Sequence, residues 1–179
     1  MNERKTEDIV REILKENKKK FHTETGQLVS IEEQKSDNPR IDKLLQHASK
    51  KGGGVGRPEF IVSFPNDILL VVECKGSVRF HKSKTLDKYA DYAVDGALLY
   101  SAFLSKEYTV FAIGVSGENE TELQIDTFLQ IKNEKEARDL HKQKIYDFSD
   151  YLNILKKDEV KEKTDFNNLL DYSKILNQN

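Results

Sequence analysis

The chain has 179 residues and a mass of 20.7 kDa, which is enough for one domain with attached helices. Charged residues make up 34% of the sequence and hydrophobic residues 37%, so the chain is polar but still able to form a core. The single cysteine, Cys74, excludes a disulfide framework and a multi-cysteine metal site, and it predicts a reducing, cytoplasmic setting. No apolar run approaches the ~20 residues of a membrane span, and the charged stretch 1–20 lacks the apolar region of a signal peptide.

The charges are unevenly distributed along the chain. The net charge is −2, which argues against a general nucleic-acid binder. The segment 35–88, however, holds eleven basic and six acidic residues, a net charge of +5, whereas the remainder holds 18 basic and 25 acidic residues, a net charge of −7. A basic middle within an acidic chain predicts a local surface that faces phosphates, with chance clustering as the alternative.

The first half of the chain predicts two helices and a hairpin. A helix is expected over 3–20, where apolar residues recur at helical spacing, and residues 21–37 are expected to form a loop or a short helix. A second helix starts with Asn38 as its N-cap and Pro39 in its first turn, and it ends in the run 50–54. Two β-rich runs, 59–64 and 68–75, flank a Pro-Asn-Asp turn and predict a hairpin.

The second half predicts a helix, two strands and a helical tail. The expected bounds are a helix over 84–104, strands over 108–115 and 122–131, and helices over 134–179 joined by a charged linker at 156–164. Gly96 within the first of these helices predicts close packing at that point. A hairpin combined with a helical crossover predicts an α/β (α+β) fold with a mixed central sheet flanked by helices.

The hairpin places two carboxylates opposite each other. With the three-residue loop 65–67, Glu59 lies opposite Glu73, so their Cβ atoms are ~4.5–5.5 Å apart. Side chains alternate between the faces of a strand, so Lys75 shares a face with Glu73, and Cys74 points the other way. Glu59, Glu73 and Lys75 therefore converge on one patch of an otherwise apolar hairpin.

Facing carboxylates in an apolar sheet repel each other unless a cation lies between them. Mg²⁺ prefers carboxylate oxygens and waters, and a lysine beside it can orient a water or stabilise charge on a phosphate. The reaction that uses these groups together is phosphodiester hydrolysis. The alternative is that Glu59 and Glu73 are solvent-facing strand residues with Lys75 as their ion-pair partner.

Pro58-Glu59, thirteen further residues and Glu73-Cys74-Lys75 resemble the PD-(D/E)XK nuclease motif. The resemblance implies a restriction-endonuclease-like core, with the site on the hairpin and one further strand or extended segment beside it. It also implies that Glu59, Glu73 and the backbone carbonyl of Cys74 bind Mg²⁺, for which Mn²⁺ can substitute, and that Lys75 acts at the water. The sequence departs from the motif by having Glu59 in place of the usual aspartate.

A closer resemblance covers roughly 38–131. The runs 48–61 and 89–105 are similar to the N-terminal endonuclease domain of type IIG restriction–modification enzymes, and 166–174 is similar to the connector that leads to the methyltransferase part. Related nucleases often carry a Gln-x-x-x-Tyr pair on this helix, where this chain has Lys88 and Tyr92. The resemblance implies double-stranded DNA as the substrate. It also implies methyltransferase and target-recognition parts on a further C-terminal stretch, so that this chain is a fragment.

Phosphate contacts are expected from basic residues in two segments beside the site. They are Lys50, Lys51, Arg57, Arg79, His81, Lys82 and Lys84. The glycine-rich run 52–56 lacks the ending of a nucleotide-binding loop and precedes a strand, so we interpret it as a flexible connector that lets these residues approach DNA, with a plain loop as the alternative.

An upstream helical acid often completes the metal site in this family, and the sequence does not choose among several. The candidates are Glu12, Glu16, Glu32, Glu33 and Asp42. Asp42 is the nearest to the motif, although an exposed acid in the first turn of a helix also stabilises the helix dipole. Tyr92 is a supporting candidate that is equally suited to the edge of the core.

Together these patterns predict a Mg²⁺-dependent DNA endonuclease domain of a bacterial type II restriction–modification enzyme, with no membrane partner. The predicted boundaries are 1–37 for an N-terminal helix and connector, 38–133 for the nuclease core, and 134–179 for a helical extension. One alternative is a repair or junction-resolving nuclease of the same fold that acts alone. The other is a non-catalytic DNA-binding module with a decayed site.

Overall fold

A computed structural model describes residues 2–177; within its last helix, the side chains of residues 159–166, 168, 171–173, 175 and 176 lie outside that description. The helices are α1 (Glu3–Thr25), α2 (Pro39–Leu45), α3 (Ala93–Leu104) and α4 (Phe148–Leu176). The strands are β1 (Ser30–Glu32), β2 (Phe60–Phe64), β3 (Ile68–Lys75), β4 (Thr109–Ser116), β5 (Gln124–Gln130) and β6 (Arg138–Asp139). Short 3₁₀ turns lie at Val78–Phe80 and Glu120–Glu122.

The strands form one six-stranded sheet in the order of the chain. β3 and β4 are parallel and joined through α3, whereas every other neighbouring pair is antiparallel. The β2–β3 loop places Asn66 and Asp67 at positive φ angles of 68° and 57°, which these two residue types tolerate better than most. The mixed sheet flanked by helices confirms the predicted fold class.

One face of the sheet packs against α2 and α3 through a continuous apolar core. Val71, Val110 and Ala112 from the strands meet Leu45 and Tyr100 from these helices, and all five side chains are almost fully buried. The predicted N-cap at Asn38 is confirmed, since its Oδ1 accepts from the Arg40 amide at 2.9 Å. This core fixes α3 against β3 and β4.

The other face packs against α1, which contacts β3. At one end the Phe21 ring meets the Phe64 ring edge to face at 5.9 Å. At the other end the Thr6 hydroxyl donates to the carbonyl oxygens of Gly117 at 2.6 Å and Lys75 at 3.3 Å. The N-terminus of α1 therefore lies at the carboxyl end of β3.

Several predicted boundaries are wrong. α2 ends at Leu45 rather than in the run 50–54, because the chain then turns into a loop that the Ser49 amide closes on the Gly54 carbonyl. β1, which pairs with β2, lies in the segment predicted as a loop or short helix, because three residues are too few to show a strand periodicity. α1 continues to Thr25, where Gly26 ends it at a φ of 69°. Residues 134–147 are not helical, and the segment 156–164 lies inside α4 rather than in a linker, since its lysines and glutamates are good helix formers.

The helix predicted over 84–104 begins only at Ala93, because a buried carboxylate holds the preceding loop. Asp95 is 0% exposed and accepts from the backbone N–H groups of Ser83 at 3.1 Å and Lys88 at 2.9 Å, and from the Ser83 hydroxyl. These bonds fix the segment 83–88 in a non-helical course, with Leu86 at a φ of 59°.

The chain divides into two compact units, Met1–Ile145 and Tyr146–Asn179. In the second unit the rings of Tyr146 and Tyr151 meet edge to face at 6.2 Å, and the Tyr151 hydroxyl accepts from the Tyr146 amide. The boundaries predicted at 37 and 133 stay predictions. Within residues 2–177, no helix is both long enough and apolar enough to cross a membrane.

Candidate active site

The register of the hairpin determines where its acidic residues lie. Phe60 pairs with Val72 across β2 and β3, as the sequence predicts, and the same register continued by one residue sets Glu59 against Glu73. Glu59 directly precedes β2 and is half-buried, whereas Glu73 is 0% exposed. The two carboxylates therefore belong to one patch at the carboxyl end of β3.

Two glycines allow α3 to begin directly over Glu73. Gly114 is the neighbour of Glu73 on β4, and a Cβ atom there would lie 2.6 Å from the Val94 side chain. A Cβ atom on Gly96 would lie 3.0 Å from Cγ of Glu73. The close packing predicted at Gly96 is thus confirmed, and it is what removes the Glu73 carboxylate from solvent.

A third carboxylate reaches the patch from the first turn of α1. One oxygen each from Glu3, Glu59 and Glu73 can be chosen so that all three lie within 4.8 Å of one another. Oε2 of Glu73 is buried and finds no hydrogen-bond partner in the described part of the chain. Glu7, one turn further along α1, interacts electrostatically with Glu59 as a fourth carboxylate.

The carboxylates of Glu3, Glu7, Glu59 and Glu73 form the acidic group of the site. Two lysines face it, and each lysine pairs with a different carboxylate. The Lys75 ammonium lies 3.3 Å from Oε1 of Glu3, and the Lys50 ammonium forms an ion pair with Oε1 of Glu73. With every group ionised, the three clustered carboxylates outnumber the two ammonium groups, which leaves a net negative charge that favours a bound cation.

Burial dominates the protonation behaviour of the acids. It raises the pKa of Glu73 to about 7; Glu59 acts in the same direction, and Lys50 and Lys75 oppose it. Burial and the Glu7 carboxylate likewise raise the pKa of Glu59, whereas Lys50 and Gln34 oppose the rise. Burial lowers the pKa of Lys50, but the carboxylates of Glu73, Glu59 and Glu3 together outweigh burial and leave the pKa raised.

We expect Glu73→Gln to become more stable relative to the wild type as the pH rises from 4.5 to 7. Across that interval the folded chain retains a proton on Glu73 that the unfolded chain has lost, so this group lowers wild-type stability with rising pH, whereas glutamine stays neutral. Over the whole titration, the free energy of unfolding of Glu73→Gln relative to the wild type rises by about 3 kcal/mol. Urea unfolding in EDTA at pH 5 and pH 8 measures most of it, with the exposed Glu12→Gln as control. A stability difference that does not change with pH would contradict this expectation.

The remaining metal and supporting candidates lie in different surroundings. The Cys74 thiol is buried on the opposite face of β3, where burial raises its pKa, and the role of its carbonyl stays a prediction. Asp42 lines a surface cavity of about 220 Å³ together with Arg57, and it is not a member of the acidic group. Tyr92 precedes the first residue of α3, with its ring edge to face on Phe80 at 5.8 Å.

The basic residues predicted to contact phosphates differ in their exposure to solvent. Five of them are exposed: Lys51, Arg57, Arg79, Lys82 and Lys84. His81 instead is buried between Asp126, 2.7 Å from its Nε2, and Ser116, 2.8 Å from its Nδ1, and burial lowers its pKa. A phosphate contact at His81 would require one of these hydrogen bonds to break.

The structure adds Glu3, Glu7 and the Lys50–Glu73 pair to what the sequence predicts. The upstream acids considered from the sequence do not join the group: Glu12 pairs with Lys15, Glu33 with Arg11, and Glu32 accepts from Ser36. The length of α1 accounts for the position of Glu3 once the structure shows the direction of the helix along the sheet. The 18 residues from Glu3 to Phe21 span ~27 Å as a helix, close to the ~23 Å of β3, so a helix anchored at Phe21 reaches the end of that strand.

Comparison with known proteins gives one partial similarity. No protein-family model matches the chain, and no solved structure does. A curated protein, the Type II restriction enzyme and methyltransferase RM.BcgI of Heyndrickxia coagulans, is 36% identical over 104 residues, which covers 50% of this chain. The alignment spans only 16% of the length of that protein. Half of this chain is therefore similar to part of a type II restriction enzyme and methyltransferase.

Proposed function

We propose that this chain is the metal-dependent DNA endonuclease domain of a restriction–modification enzyme. The observation that carries the proposal is the group of Glu3, Glu59 and Glu73 with Lys75 beside it, at the end of a hairpin whose spacing resembles the PD-(D/E)XK motif. The similarity to a restriction enzyme and methyltransferase supports the same class of reaction and substrate. The finer assignment, to the N-terminal nuclease domain of a type IIG enzyme, rests on the resemblance of 48–61 and 89–105.

The acidic group fits a hard divalent cation such as Mg²⁺, with Mn²⁺ as a substitute. Its donors are carboxylate oxygens, which these ions prefer, and one of them, Oε2 of Glu73, is buried without a partner in residues 2–177. Glu3, Glu59 and Glu73 would hold the ion, together with the carbonyl of Cys74. When bound, the ion supplies a more acidic water and neutralises charge on the scissile phosphate.

The residues of the chain provide the orientation for hydrolysis. Lys75, whose side chain is 15% exposed, is held by the more exposed Glu3, and its ammonium can donate to the attacking water or to a phosphate oxygen. The exposed Lys51, Arg57 and Lys82 would contact neighbouring phosphates, which positions DNA without reading its sequence. Methyltransferase and target-recognition parts would act from a further stretch of the protein.

This chain alone is expected to nick DNA without sequence preference, and only at low salt. The described residues contain no helix–turn–helix or other element placed to read base edges, and phosphate contacts from a few lysines weaken steeply as salt rises. The test incubates supercoiled plasmid with the chain and Mg²⁺, with EDTA in the control, and maps the ends by sequencing.

Two results of that digest would overturn different parts of the proposal. Equal nicking in Mg²⁺ and in EDTA would exclude the metal-dependent reaction. A single recurring cut site would show that the recognition element lies within this chain, and so would remove the need for separate target-recognition parts.

A further inference from the structure

The loop between α2 and β2 holds Lys50 in a defined place over the acidic group. The Ser49 amide donates to the Gly54 carbonyl at 2.9 Å, which closes the loop on itself. The Gly56 amide donates to the carbonyl of Leu45, the last residue of α2, at 2.7 Å. The backbone on both sides of Lys50 is therefore anchored, and only its side chain is free to change direction.

The Lys50 side chain is directed inward rather than toward a phosphate. It is 22% exposed, and its ammonium contacts Oε1 of Glu73, a carboxylate that is 0% exposed. Lys75, the lysine of the sequence motif, pairs with Glu3 instead. Lys50 is thus the cation closest to the buried acid, although it lies 23 residues upstream of that acid in the sequence.

Two cations cannot share this carboxylate without repelling each other. The interaction between charges a few ångströms apart is several times stronger in a partly buried site than in water. A divalent cation on Glu73 would lie within that range of the Lys50 ammonium, whose remaining exposure gives it a path toward solvent.

We propose that Lys50 is a positioning residue that competes with the divalent cation for Glu73, so that cation binding turns its ammonium outward to solvent, where it can contact a phosphate. This inference rests on the proposed function, because it concerns the same site. It gives the glycine-rich loop a specific role, since the loop carries a lysine that occupies the buried acid and is released toward the phosphate when the cation binds.

The first test measures how accessible the Lys50 amine is. The wild-type chain is acetylated briefly with an N-hydroxysuccinimide ester at pH 8, with and without Ca²⁺, and each lysine is quantified by mass spectrometry. Lys50 is expected to react about tenfold faster in Ca²⁺ once its ion pair is lost. Lys15, on the outer surface of α1, serves as the internal control with an unchanged rate.

The second test measures Ca²⁺ binding by calorimetry at pH 8 for the wild type, Lys50→Met and the matched control Lys15→Met. Lys50→Met is expected to bind Ca²⁺ about tenfold more tightly than the other two. If the wild type binds Ca²⁺ while Lys50→Met binds no better and Lys50 acetylation is unchanged, the competition is overturned and the metal site stands. If neither the wild type nor Lys50→Met binds Ca²⁺, the metal site of the proposed function and the competition are both overturned.

Discussion

Glu73→Ala is expected to abolish DNA cleavage while the chain stays folded. Glu73 is the only fully buried member of the acidic group in the described residues, and it has an oxygen without a partner. Loss of this ligand removes the donor around which Glu3 and Glu59 are arranged. The fold should persist because the removed group is a buried carboxylate whose pKa is raised, and ionising it opposes folding.

The measurement is plasmid nicking in Mg²⁺ at low salt, accompanied by circular dichroism and urea unfolding. Glu120→Ala, which removes an exposed carboxylate from the turn before β5, is the control and should retain cleavage. Cleavage by Glu73→Ala at the wild-type rate would exclude Glu73 as a metal ligand. If Glu73→Ala loses both cleavage and the folded state, the same assay is made on Glu73→Gln, which removes the carboxylate but keeps the shape of the side chain.

Lys75→Met is expected to reduce turnover by about 10²–10⁴-fold at saturating Mg²⁺. The Lys75 ammonium is held at 3.3 Å from Glu3 and its side chain is 15% exposed, so it is fixed in place yet still in reach of a water or a phosphate. If Lys75 only neutralised the carboxylates, its loss would change the affinity for the metal and leave saturated turnover nearly intact.

A titration of nicking rate against Mg²⁺ concentration separates these two roles. Lys106→Met, at the far end of α3, removes an exposed lysine outside the site and should leave both the rate and the metal dependence unchanged. Near-normal turnover of Lys75→Met once Mg²⁺ is saturating would refute a direct role for this lysine in the chemistry.

The part of the site predicted from the sequence is the part set by local geometry. A three-residue turn and the alternation of side chains on a strand are enough to place Glu59 beside Glu73 and Lys75 on the same face. The cost of a glycine within a helix likewise predicted close packing at Gly96, which proved to be contact with Glu73.

The part that the sequence did not predict depends on contacts between distant segments. Glu3 joins the group only because α1 lies along the sheet in one of its two possible directions, and no local pattern specifies that direction. His81 was grouped with its basic neighbours, but a loop anchored by Asp95 turns it inward toward Asp126. Periodicity describes one element at a time, so it could not show either contact.

The position of Glu3 also matters for how this protein is handled in the laboratory. Asn2 caps α1 through its side chain, and its backbone N–H donates to Oε1 of Glu118 at 2.7 Å. The start of the helix is therefore joined to the loop after β4. An affinity tag fused ahead of Met1 would crowd this junction, and removal of the first few residues would take away an acid of the site while leaving the sheet whole. Under the proposed function, a preparation altered there would lose cleavage, so tags belong away from the start of α1.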